Sequence, residues 1–458
     1  MLIFDRRDFM ENQEKFKMYR EKYPTFYYRG YHYTLEDNLE IEYDFEIPGL
    51  CEFHPKLVLK KNMIRITPQV EYLDYLIFQI GLIELISYVK CTCSKNIMVE
   101  AGYINEQQIK FLKKLYYNGL GEFLYTNHIT IEEEELFQIT CSKEKTTLPT
   151  NDYQGEGNLI CVGGGKDSCV TLELLKNEKN NSCFIINPKT PSLSCAMMAG
   201  YSETEILKVE RVLDQKIMER NKEGFLNGHT PLSSLIAFIS YLCAYLAGKK
   251  NVVLSNESSA NETTVFGTNI NHQYSKTYEF ENDFRTYMEE NMHLDIHYFS
   301  LLRGLTEYNI AKLFSHYRIY HPVFKSCNLG SKEKEWIWCC NCPKCLFIYI
   351  ILSPFLTKEE RVNIFGEDLY EREDLLETFK ELLGYTDNKP FECVGTYGEA
   401  RYAISKVIEK EEKGYLLDYY RNHYPLETRG EDIEKYNETT NLNEYYSNLV
   451  KKELNRYV

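Results

Sequence analysis

The stretch Leu159-Ile-Cys-Val-Gly-Gly-Gly-Lys-Asp-Ser-Cys-Val-Thr-Leu-Glu-Leu-Leu-Lys176 decides how the rest of this sequence is interpreted. It opens with a short apolar run typical of a buried strand, and from Val170 onward its apolar residues follow helical spacing. Between them, Gly163, Gly164 and Gly165 let the backbone turn sharply with no side chains above it. The sequence therefore predicts a strand, a glycine turn and a helix in direct succession.

The glycine turn has the properties of an anion-binding site. Asp167 and Ser168 lie where the helix would begin, and we expect them to cap it. The free N–H groups and the positive end of the helix dipole would point at whatever fills the loop, and Lys166 and the Ser168 hydroxyl add two donors. The spacing fits neither a Walker loop, which needs four residues before its Gly-Lys pair, nor a Rossmann GxGxxG turn.

Residues 163–168, Gly-Gly-Gly-Lys-Asp-Ser, resemble the pyrophosphate loop of the N-type ATP pyrophosphatase (PP-loop) superfamily, which usually reads Ser-Gly-Gly-x-Asp-Ser. Enzymes of this superfamily cleave ATP between the α and β phosphates, attach AMP to a substrate oxygen and release diphosphate. Glycine replaces serine at the first position, so one hydroxyl contact to phosphate is missing. The alternative is an ordinary strand-turn-helix unit whose glycines occur by chance.

The pattern along the chain predicts three parts. Residues 1–150 alternate apolar and polar side chains and then become helical, as in a small α+β domain, which is a candidate for substrate binding. Residues 151–355 alternate strands and helices, which predicts an α/β domain with a parallel sheet and helices on both faces. The resemblance to the PP-loop superfamily implies that this is the ATP-binding catalytic domain, of the adenine nucleotide alpha hydrolase type. Residues 356–458 are mainly helical and are expected to complete the site.

Composition describes an ordered acidic protein. The 458 residues carry a net charge of −15 and are 43% hydrophobic, whereas a protein that grips nucleic acid is expected to have a basic face. The N-terminus lacks the apolar run of a signal peptide, and Tyr72–Val89 and Leu235–Gly248 are interrupted by charge or too short to span a bilayer. We therefore expect a cytoplasmic protein with neither nucleic acid nor membrane as a partner.

A polar segment, Ser255-Asn-Glu-Ser-Ser-Ala-Asn-Glu262, follows the predicted strand Val252–Ser255. Ligands of parallel sheets bind beyond the carboxyl ends of the strands, so this segment is a candidate for part of the site. It could hold ribose, an activated acyl group, or Mg²⁺ through Glu257 or Glu262. The alternative is a capped loop without a ligand.

Four cysteines have the spacing of a metal site. Cys327, Cys339, Cys342 and Cys345 give C-x11-C-x2-C-x2-C, a pattern that can surround one tetrahedral Zn²⁺ and is similar to that of the superfamily's zinc-bearing deazaguanine synthases. Cys340 lies in the same segment but is not part of this pattern. The alternatives are reduced thiols that pack a loop, or a cysteine with a chemical role. Four other cysteines lie in apolar segments and are expected in the core of a protein from a reducing compartment: Cys161, Cys169, Cys183 and Cys243.

Several segments between residues 70 and 410 carry a second and more specific resemblance. They are Phe78–Tyr88, Gln107, Gly119–Phe123, Val162–Ser168, Ser255–Glu257 with Ser259–Asn261, Cys342–Phe347 with Ser353–Phe355, and Lys389–Thr396 with Glu399. Together they resemble MurL, the UDP-N-acetyl-α-D-muramoyl-L-alanyl-L-glutamate epimerases of bacterial cell-wall (peptidoglycan) synthesis. The resemblance implies an isomerase that consumes ATP with Mg²⁺ to invert the terminal L-glutamate of UDP-MurNAc-L-Ala-L-Glu to D-glutamate, with AMP and diphosphate as products.

The resemblance also implies roles for individual residues. The ATP phosphates would be held by Gly163, Gly164, Gly165, Asp167 and Ser168, with Lys166 stabilising charge during AMP transfer, Asp167 binding Mg²⁺, and Asn256, Glu257 and Asn261 binding substrate or metal. The proton-transfer residue stays open among Glu257, Cys342, Lys344, Cys345 and Glu399. Isolated histidines such as His229, His272 and His321 are more typical of packing or solvation.

Two other functions fit parts of the sequence. The cysteine spacing also suits another PP-loop adenylating enzyme, a queuosine-precursor synthase or a tRNA thiolase, although the acidic charge opposes a tRNA partner. A nucleotide-binding scaffold without catalysis is the alternative from a different class. The oligomeric state and a cyclic intermediate are left open by the residues.

Overall fold

The computed structural model describes residues 6–61, 64–145, 147–265, 267–268, 270–330, 337–386, 389–428 and 430–457. Its strands are β1 (Thr25–Leu35), β2 (Asn38–Ile47), β3 (Cys51–Phe53), β4 (Lys56–Lys60), β5 (Asn96–Val99), β6 (Gln138–Cys141), β7 (Asn158–Cys161), β8 (Ser182–Ile186), β9 (Ile206–Val212), β10 (Asn251–Leu254) and β11 (His297–Ser300).

The first ten helices, in chain order, are α1 (Arg6–Lys22), α2 (Val70–Glu84), α3 (Ile86–Val89), α4 (Glu106–Gly119), α5 (Gly121–Thr126), α6 (Glu133–Leu136), α7 (Lys166–Leu175), α8 (Thr190–Met198), α9 (Gln215–Lys222) and α10 (Leu232–Leu246). The remaining nine are α11 (Tyr278–Met292), α12 (Glu307–His316), α13 (Pro343–Leu352), α14 (Lys358–Phe365), α15 (Leu376–Leu382), α16 (Tyr397–Glu409), α17 (Tyr415–His423), α18 (Glu431–Glu434) and α19 (Glu444–Arg456).

One compact unit consists of the described residues of 1–156, 207–250 and 282–297. Its strands lie in the order β9-β4-β2-β1-β5-β6, with β3 paired to β2. The pairs β1/β2, β2/β4 and β4/β9 are antiparallel, whereas β1/β5 and β5/β6 are parallel. The alternating apolar pattern that predicted strands in this region is confirmed in β2, where every second residue from Leu39 is buried.

The long apolar segment of this unit is a core helix pair. Residues Val70–Val89 have the length and hydropathy of a membrane span, but 83% of the 18-residue apolar window within them is buried inside the protein. Within it, Glu84 is 1% exposed and accepts two hydrogen bonds of 2.8 Å from the Arg211 guanidinium. A carboxylate buried with its own guanidinium partner is satisfied inside a folded core, where an unpaired charge would be costly.

The second compact unit consists of the described residues of 157–206, 251–281 and 298–458. Its strands lie in the order β11-β10-β7-β8, and the pairs β10/β7 and β7/β8 are parallel, as the strand-helix alternation predicted. Parallel pairing places the loops that follow β7 and β10 at the same edge of the sheet. The apolar faces of α7, α12, α13 and α16 pack into one hydrophobic core, in which Lys344–Leu352 of α13 are all buried.

Several predicted helix ends are wrong. Gly165 is the N-cap of α7 and has extended backbone angles, so Asp167 and Ser168 lie in the first turn and do not cap it. The pair Thr230-Pro231 predicts a helix with Thr230 as its N-cap and Pro231 as its first residue, but Pro231 is the N-cap of α10 and no side chain caps that helix. By contrast, Asn105 before Glu106 predicts the cap of a helix, and it does cap α4, with Gln108 completing a reciprocal capping box.

Residues 356–458 were expected to be mainly helical, but the tail from Asn422 onward is polar and weakly patterned, and its pattern did not indicate the helix α19. In α19, Tyr446, Val450 and Leu454 recur every fourth residue and are buried, and Asn443 caps the helix by accepting a hydrogen bond from the Tyr446 N–H group. This short apolar stripe and its cap could have predicted the helix, but many charged residues surround them in the sequence. The helix α1 was also not predicted.

Candidate active site

The glycine turn after β7 is tightly packed on one side and open on the other. Gly164 has a φ of +89°, and a Cβ there would lie 2.7 Å from the Ser192 N atom. A Cβ at Gly165 would lie 2.7 Å from Ser326 Oγ, whereas a Cβ at Gly163 would have nothing within 4 Å. Only glycine fits the packed side, and the exposed Gly163 leaves the backbone accessible.

The Ser168 hydroxyl stabilises the turn from within. Its Oγ accepts a hydrogen bond of 3.2 Å from the Gly164 N–H group and donates one of 2.9 Å to the Gly165 carbonyl. The sequence suggested that this hydroxyl would donate to a bound anion, but in this structure its proton is directed to the turn itself. Ser168 therefore shapes the loop.

Lys166, the first residue of α7, is buried between two carboxylates. Its side chain is 0% exposed, and its Nζ donates to Asp167 Oδ1 and to Glu307 Oε2. Glu307 begins α12 and is 2% exposed, whereas Asp167 is 27% exposed. The buried pair holds the ammonium group in place behind the turn, and Asp167 presents a carboxylate at the surface of the site.

Burial and charge shift the carboxyl groups of this cluster in different directions. Burial would raise the pKa of Asp167, but Lys166 and then Lys344 outweigh it, so the pKa of Asp167 lies below its ordinary value. Burial raises the pKa of Glu307 to about 7 despite the opposing effect of Lys166. Burial, and then the charge of Asp167, also raise the pKa of Glu257. These carboxyl groups and lysines form one electrostatic cluster.

Glu399 connects two helix beginnings in this cluster. Glu399 is 2% exposed. Its Oε2 accepts hydrogen bonds from the Thr396 N–H group at 2.6 Å and from Thr396 Oγ1 at 2.9 Å. These bonds complete a capping box at the beginning of α16. Its Oε1 accepts a hydrogen bond of 2.6 Å from the Glu307 N–H group. Glu399 therefore positions Glu307, and through it Lys166, and its catalytic role stays a prediction.

The loop after β10 is held by a buried arginine. Arg303 is 1% exposed and donates hydrogen bonds to the Glu257 carbonyl at 2.8 Å, to the Lys276 carbonyl at 2.7 Å and to Glu281 Oε2 at 3.0 Å. Asn256 Nδ2 donates a hydrogen bond of 3.1 Å to Ser300 Oγ. This framework fixes the backbone of the loop and leaves the Glu257 side chain within the charged cluster.

The last two residues of the segment 255–262, Asn261 and Glu262, form contacts with neighbouring residues. Asn261 is exposed, and its Oδ1 accepts a hydrogen bond of 2.9 Å from the Tyr278 N–H group at the start of α11. The carboxylate of Glu262 is paired with Lys389, which is 6% exposed. Asn261 therefore has a structural partner, and its predicted role in ligand binding stays a prediction.

Two lysines and a histidine surround a cysteine that the sequence did not single out. Lys276 Nζ lies 3.0 Å from Cys393 Sγ, the His272 side chain hydrogen-bonds the same thiol, and Lys344 Nζ donates to the Cys393 carbonyl. His272 was expected to be explained by packing or solvation, and its contact with the thiol corrects that expectation. His321 does pack, against the Phe314 ring with centroids 5.1 Å apart.

The four predicted metal-ligating cysteines converge in space. The sulfur atoms of Cys327, Cys339, Cys342 and Cys345 all lie within 4.8 Å of one another. Three of the separations are 3.4 to 3.8 Å, close to the value of about 3.8 Å that zinc–sulfur bonds of about 2.3 Å give in a tetrahedral site. Cys340 is outside the cluster, with its Sγ 3.3 Å from the Phe365 carbonyl.

Backbone groups also support metal ligation by this cluster. The N–H groups of Gly330 and Cys339 point at Cys327 Sγ, at 3.0 and 3.4 Å. A Cβ on Gly330 would lie 2.0 Å from the Ile337 carbonyl oxygen, so the loop needs glycine there. Hydrogen bonds to sulfur are the outer-shell partners that thiolate ligands use, so the residues fit Zn²⁺. Cys345 is 0% exposed within the cluster, which favours its ligand role over its predicted catalytic role.

The remaining cysteines largely occupy the predicted interior positions. Cys169, Cys183 and Cys243 are buried, whereas Cys161 is only half-buried because it ends β7 just before the open glycine turn. All fifteen cysteines are free thiols.

Glu307, Lys276 and Cys393 are the site residues that the sequence did not point out. Glu307 lies a short loop beyond the carboxyl end of β11, so the rule that placed ligands after parallel strands could have suggested it. Lys276 and Cys393 carry no such signal, because they come from segments far apart in the chain. The exposed backbone of the glycine turn and the neighbouring lysines suit a phosphate group, the Asp167 carboxylate suits a divalent cation bound with it, and the buried carboxyl groups can exchange protons.

Comparison with known proteins now identifies the family. Residues 17–301 match the family model described as the MurL N-terminal domain, and residues 323–434 match the MurL C-terminal domain. The UDP-N-acetyl-alpha-D-muramoyl-L-alanyl-L-glutamate epimerase of Xanthomonas oryzae pv. oryzae is 33% identical over 338 residues, which cover 72% of this chain and 74% of that protein. The protein of the same name from a Micromonospora species is 34% identical over 334 residues, 71% of this chain and 73% of its own length. The chain therefore belongs to the MurL family of epimerases.

Proposed function

We propose that this protein inverts the terminal L-glutamate of UDP-MurNAc-L-Ala-L-Glu to D-glutamate, in a cytoplasmic step of peptidoglycan precursor synthesis that consumes ATP and releases AMP and diphosphate. The names of the relatives support the substrate. The observation that supports nucleotide use is the open glycine turn with the buried Lys166–Glu307 pair behind it and Asp167 at its surface.

Electrostatics explains why such an inversion needs ATP. Removal of the Cα proton beside an ionised carboxylate would place a second negative charge on adjoining atoms. Transfer of AMP to that carboxylate removes its charge and creates an acyl phosphate anhydride, whose carbonyl can accept the electron pair as an enolate. The Cα proton then becomes acidic enough for a side-chain base. Reprotonation on the opposite face and hydrolysis of the anhydride give the product.

The residues of the cluster suit adenylation. The accessible backbone at Gly163 and the beginning of α7 would bind the phosphates, and Lys166 would stabilise the charge that develops during AMP transfer. Asp167 offers a partly exposed carboxylate for Mg²⁺, which when bound would neutralise phosphate charge. The pair of Lys166 with Glu307 keeps the ammonium group fixed before the nucleotide arrives.

We infer that the four-cysteine cluster holds a structural Zn²⁺. Its sulfur separations and N–H···S contacts support this role. Cys342 is also the N-cap residue of α13, the buried helix that carries Lys344. Metal binding would therefore order the beginning of the helix that places Lys344 in the charged cluster.

The proposal is tested by incubating the protein with ATP, Mg²⁺ and UDP-MurNAc-L-Ala-L-Glu and measuring AMP and the configuration of the glutamate. We expect AMP and D-glutamate together, and a loss of at least about 100-fold in Asp167→Asn, because the amide no longer offers a charged ligand. Asp374→Asn, with a side chain that is 64% exposed, is the matched control and should retain full activity.

Other outcomes identify the alternatives. Release of AMP only with tRNA or a carboxydeazaguanine would indicate a different adenylating enzyme. Absence of AMP with every substrate would indicate a nucleotide-binding scaffold without catalysis. Full turnover by Asp167→Asn would contradict the assignment of the glycine turn to ATP.

A further inference from the structure

Cys393 lies in an unusual concentration of positive and hydrogen-bonding groups. The residue is half-buried in the segment that leads to Thr396, the N-cap of α16. Lys276 Nζ is 3.0 Å from its sulfur, His272 hydrogen-bonds the thiol, and Lys344 holds its carbonyl. Three residues from separate parts of the chain thus converge on one half-buried cysteine, two of them on its sulfur and Lys344 on its carbonyl.

These groups set the charge of the thiol. Burial would raise the pKa of Cys393, but Lys276, then His272 and Lys344, outweigh it and lower the pKa to about 5. Burial raises the pKa of the Cys340 thiol to about 12, because the opposing charge of Arg372 is a smaller effect. The nearby Lys276 ammonium group and His272 therefore favour the thiolate form of Cys393, whereas burial favours the protonated form of a packed thiol such as Cys340.

The thiolate belongs to the same electrostatic cluster as the glycine turn. Lys276 and Lys344, which act on Cys393, also act on Asp167 and Glu257. Two residues beyond the thiol, a Cβ on Gly395 would lie 2.7 Å from Glu399 Oε2 and 2.9 Å from Glu307 Cγ. The segment that carries Cys393 is thus packed directly against the residues that position Lys166.

We propose that Cys393 is the base that removes the Cα proton of the adenylated glutamate, an inference that rests on the proposed function. The electron pair of the Cα–H bond moves into the acyl carbonyl to form an enolate, and the proton forms an S–H bond with the thiolate. A second acid then delivers a proton to the opposite face of Cα; Glu257, which is buried and interacts with the same Lys276, is the candidate. Exchange with water returns Cys393 to the thiolate and Glu257 to the acid.

The test separates adenylation from proton transfer. Wild type, Cys393→Ser, Cys393→Ala and the control Cys340→Ser are incubated with ATP, Mg²⁺ and the UDP-linked dipeptide in deuterated water. Diphosphate, D-glutamate and deuterium at Cα are measured in each. We expect both Cys393 variants to release diphosphate, at least in the first turnover, while inversion and deuterium incorporation fall at least about 100-fold, the usual contribution of a general base. Cys340→Ser should behave as wild type.

Each contrary result has a distinct meaning. Inversion by Cys393→Ala at the wild-type rate would overturn the inference and leave the proposed function intact. A parallel loss of diphosphate release and inversion would show a structural role and would also overturn it. A wild type that neither cleaves ATP nor inverts the dipeptide would instead contradict the proposed function.

The charge of the thiol gives a second readout that does not need the substrate. Alkylation by iodoacetamide, mapped to Cys393 by mass spectrometry, should have a rate that is nearly constant from pH 9 to pH 6 and falls below about pH 5, where the thiolate gains its proton. Lys276→Met should move this profile to higher pH. A rate that rises tenfold per pH unit up to pH 9 in the wild type would contradict the inference.

Discussion

Glu399 shows how much one buried side chain determines in this site. Its two carboxylate oxygens accept hydrogen bonds from Thr396 and from the Glu307 N–H group, so that it serves the beginnings of two helices, and Glu307 in turn holds Lys166. Removal of the carboxylate would leave buried N–H groups without partners and would release the residue that fixes the ammonium group.

We therefore expect Glu399→Ala to lower the free energy of unfolding by about 2 kcal/mol or more, since each orphaned buried group costs about 1–3 kcal/mol. It should also reduce AMP formation. The control is Glu360→Ala, which removes the same type of capping box at α14, where the carboxylate is 27% exposed.

The control should cost about 1 kcal/mol at most and leave AMP formation unchanged. Denaturant unfolding and AMP assays on both variants provide the measurement. Equal effects of the two substitutions would contradict the positioning role of Glu399.

At the residue level, the sequence predicted the site residues that lie within the glycine-turn motif. It missed Glu307 and Cys393, which are far from that motif in the chain. Lys166 and Asp167 follow the glycines directly, so their types and spacing indicated phosphate chemistry. Glu307 lies 141 residues from Lys166 and Cys393 lies 117 residues from Lys276. Only the packing of α7 against α12, and of the segment before α16 against its neighbours, brings these pairs together.

At the scale of elements, the strand-helix alternation was the reliable signal. The predicted helical run Leu232–Leu246 is found as α10, although its N-cap is Pro231 and not Thr230, and the parallel pairing of β7 with β8 and β10 is confirmed. Helix beginnings were less predictable, because Gly165 and Pro231 take the N-cap positions without a side-chain hydrogen bond. The backbone angles determine where such a helix begins, and the residue types at these positions predict those angles poorly.

The cysteine loop that precedes α13 makes a prediction of its own. Purified protein should contain about one zinc ion per chain, as a site with four thiolates requires. Cys342→Ser should lose the metal and unfold at lower temperature, because this residue is both a ligand and the N-cap of α13.

The matched control is Cys340→Ser, whose sulfur contacts the Phe365 carbonyl outside the cluster, and it should keep its zinc. Metal analysis by mass spectrometry and thermal unfolding provide the measurement. A wild-type protein purified without chelators and free of zinc would contradict the metal assignment, as would equal zinc loss in the two variants.

At the scale of the whole molecule, the acidic composition contrasts with the local charge of the site. The protein carries a net charge of −15, yet Lys166, Lys276 and Lys344 meet in one cluster. The net charge indicates which class of macromolecule the protein can bind, and the local cluster of lysines indicates which ligand the site can bind. An acidic surface with a few converging lysines suits a small phosphorylated ligand better than a nucleic-acid backbone.

The compact units also show what a linear pattern does not capture. The sequence was divided into ranges 1–150, 151–355 and 356–458, and these ranges stay predictions. The units in the structure are each built from three separated segments. The segment 207–250, for example, carries most of β9 together with α9 and α10, and it packs with the first 156 residues. Hydrophobic periodicity reports where elements lie, but not which distant elements share a core.

The central claim is that AMP is joined to the glutamate carboxylate before the Cα proton leaves. It is tested most directly with UDP-MurNAc-L-Ala-L-Glu labelled with ¹⁸O in the terminal α-carboxylate, by mass spectrometry of the AMP released. Attack of a carboxylate oxygen on the α phosphorus, followed by cleavage at the carbonyl carbon, predicts one ¹⁸O atom in each AMP. AMP without the label, released while D-glutamate accumulates, would contradict this account.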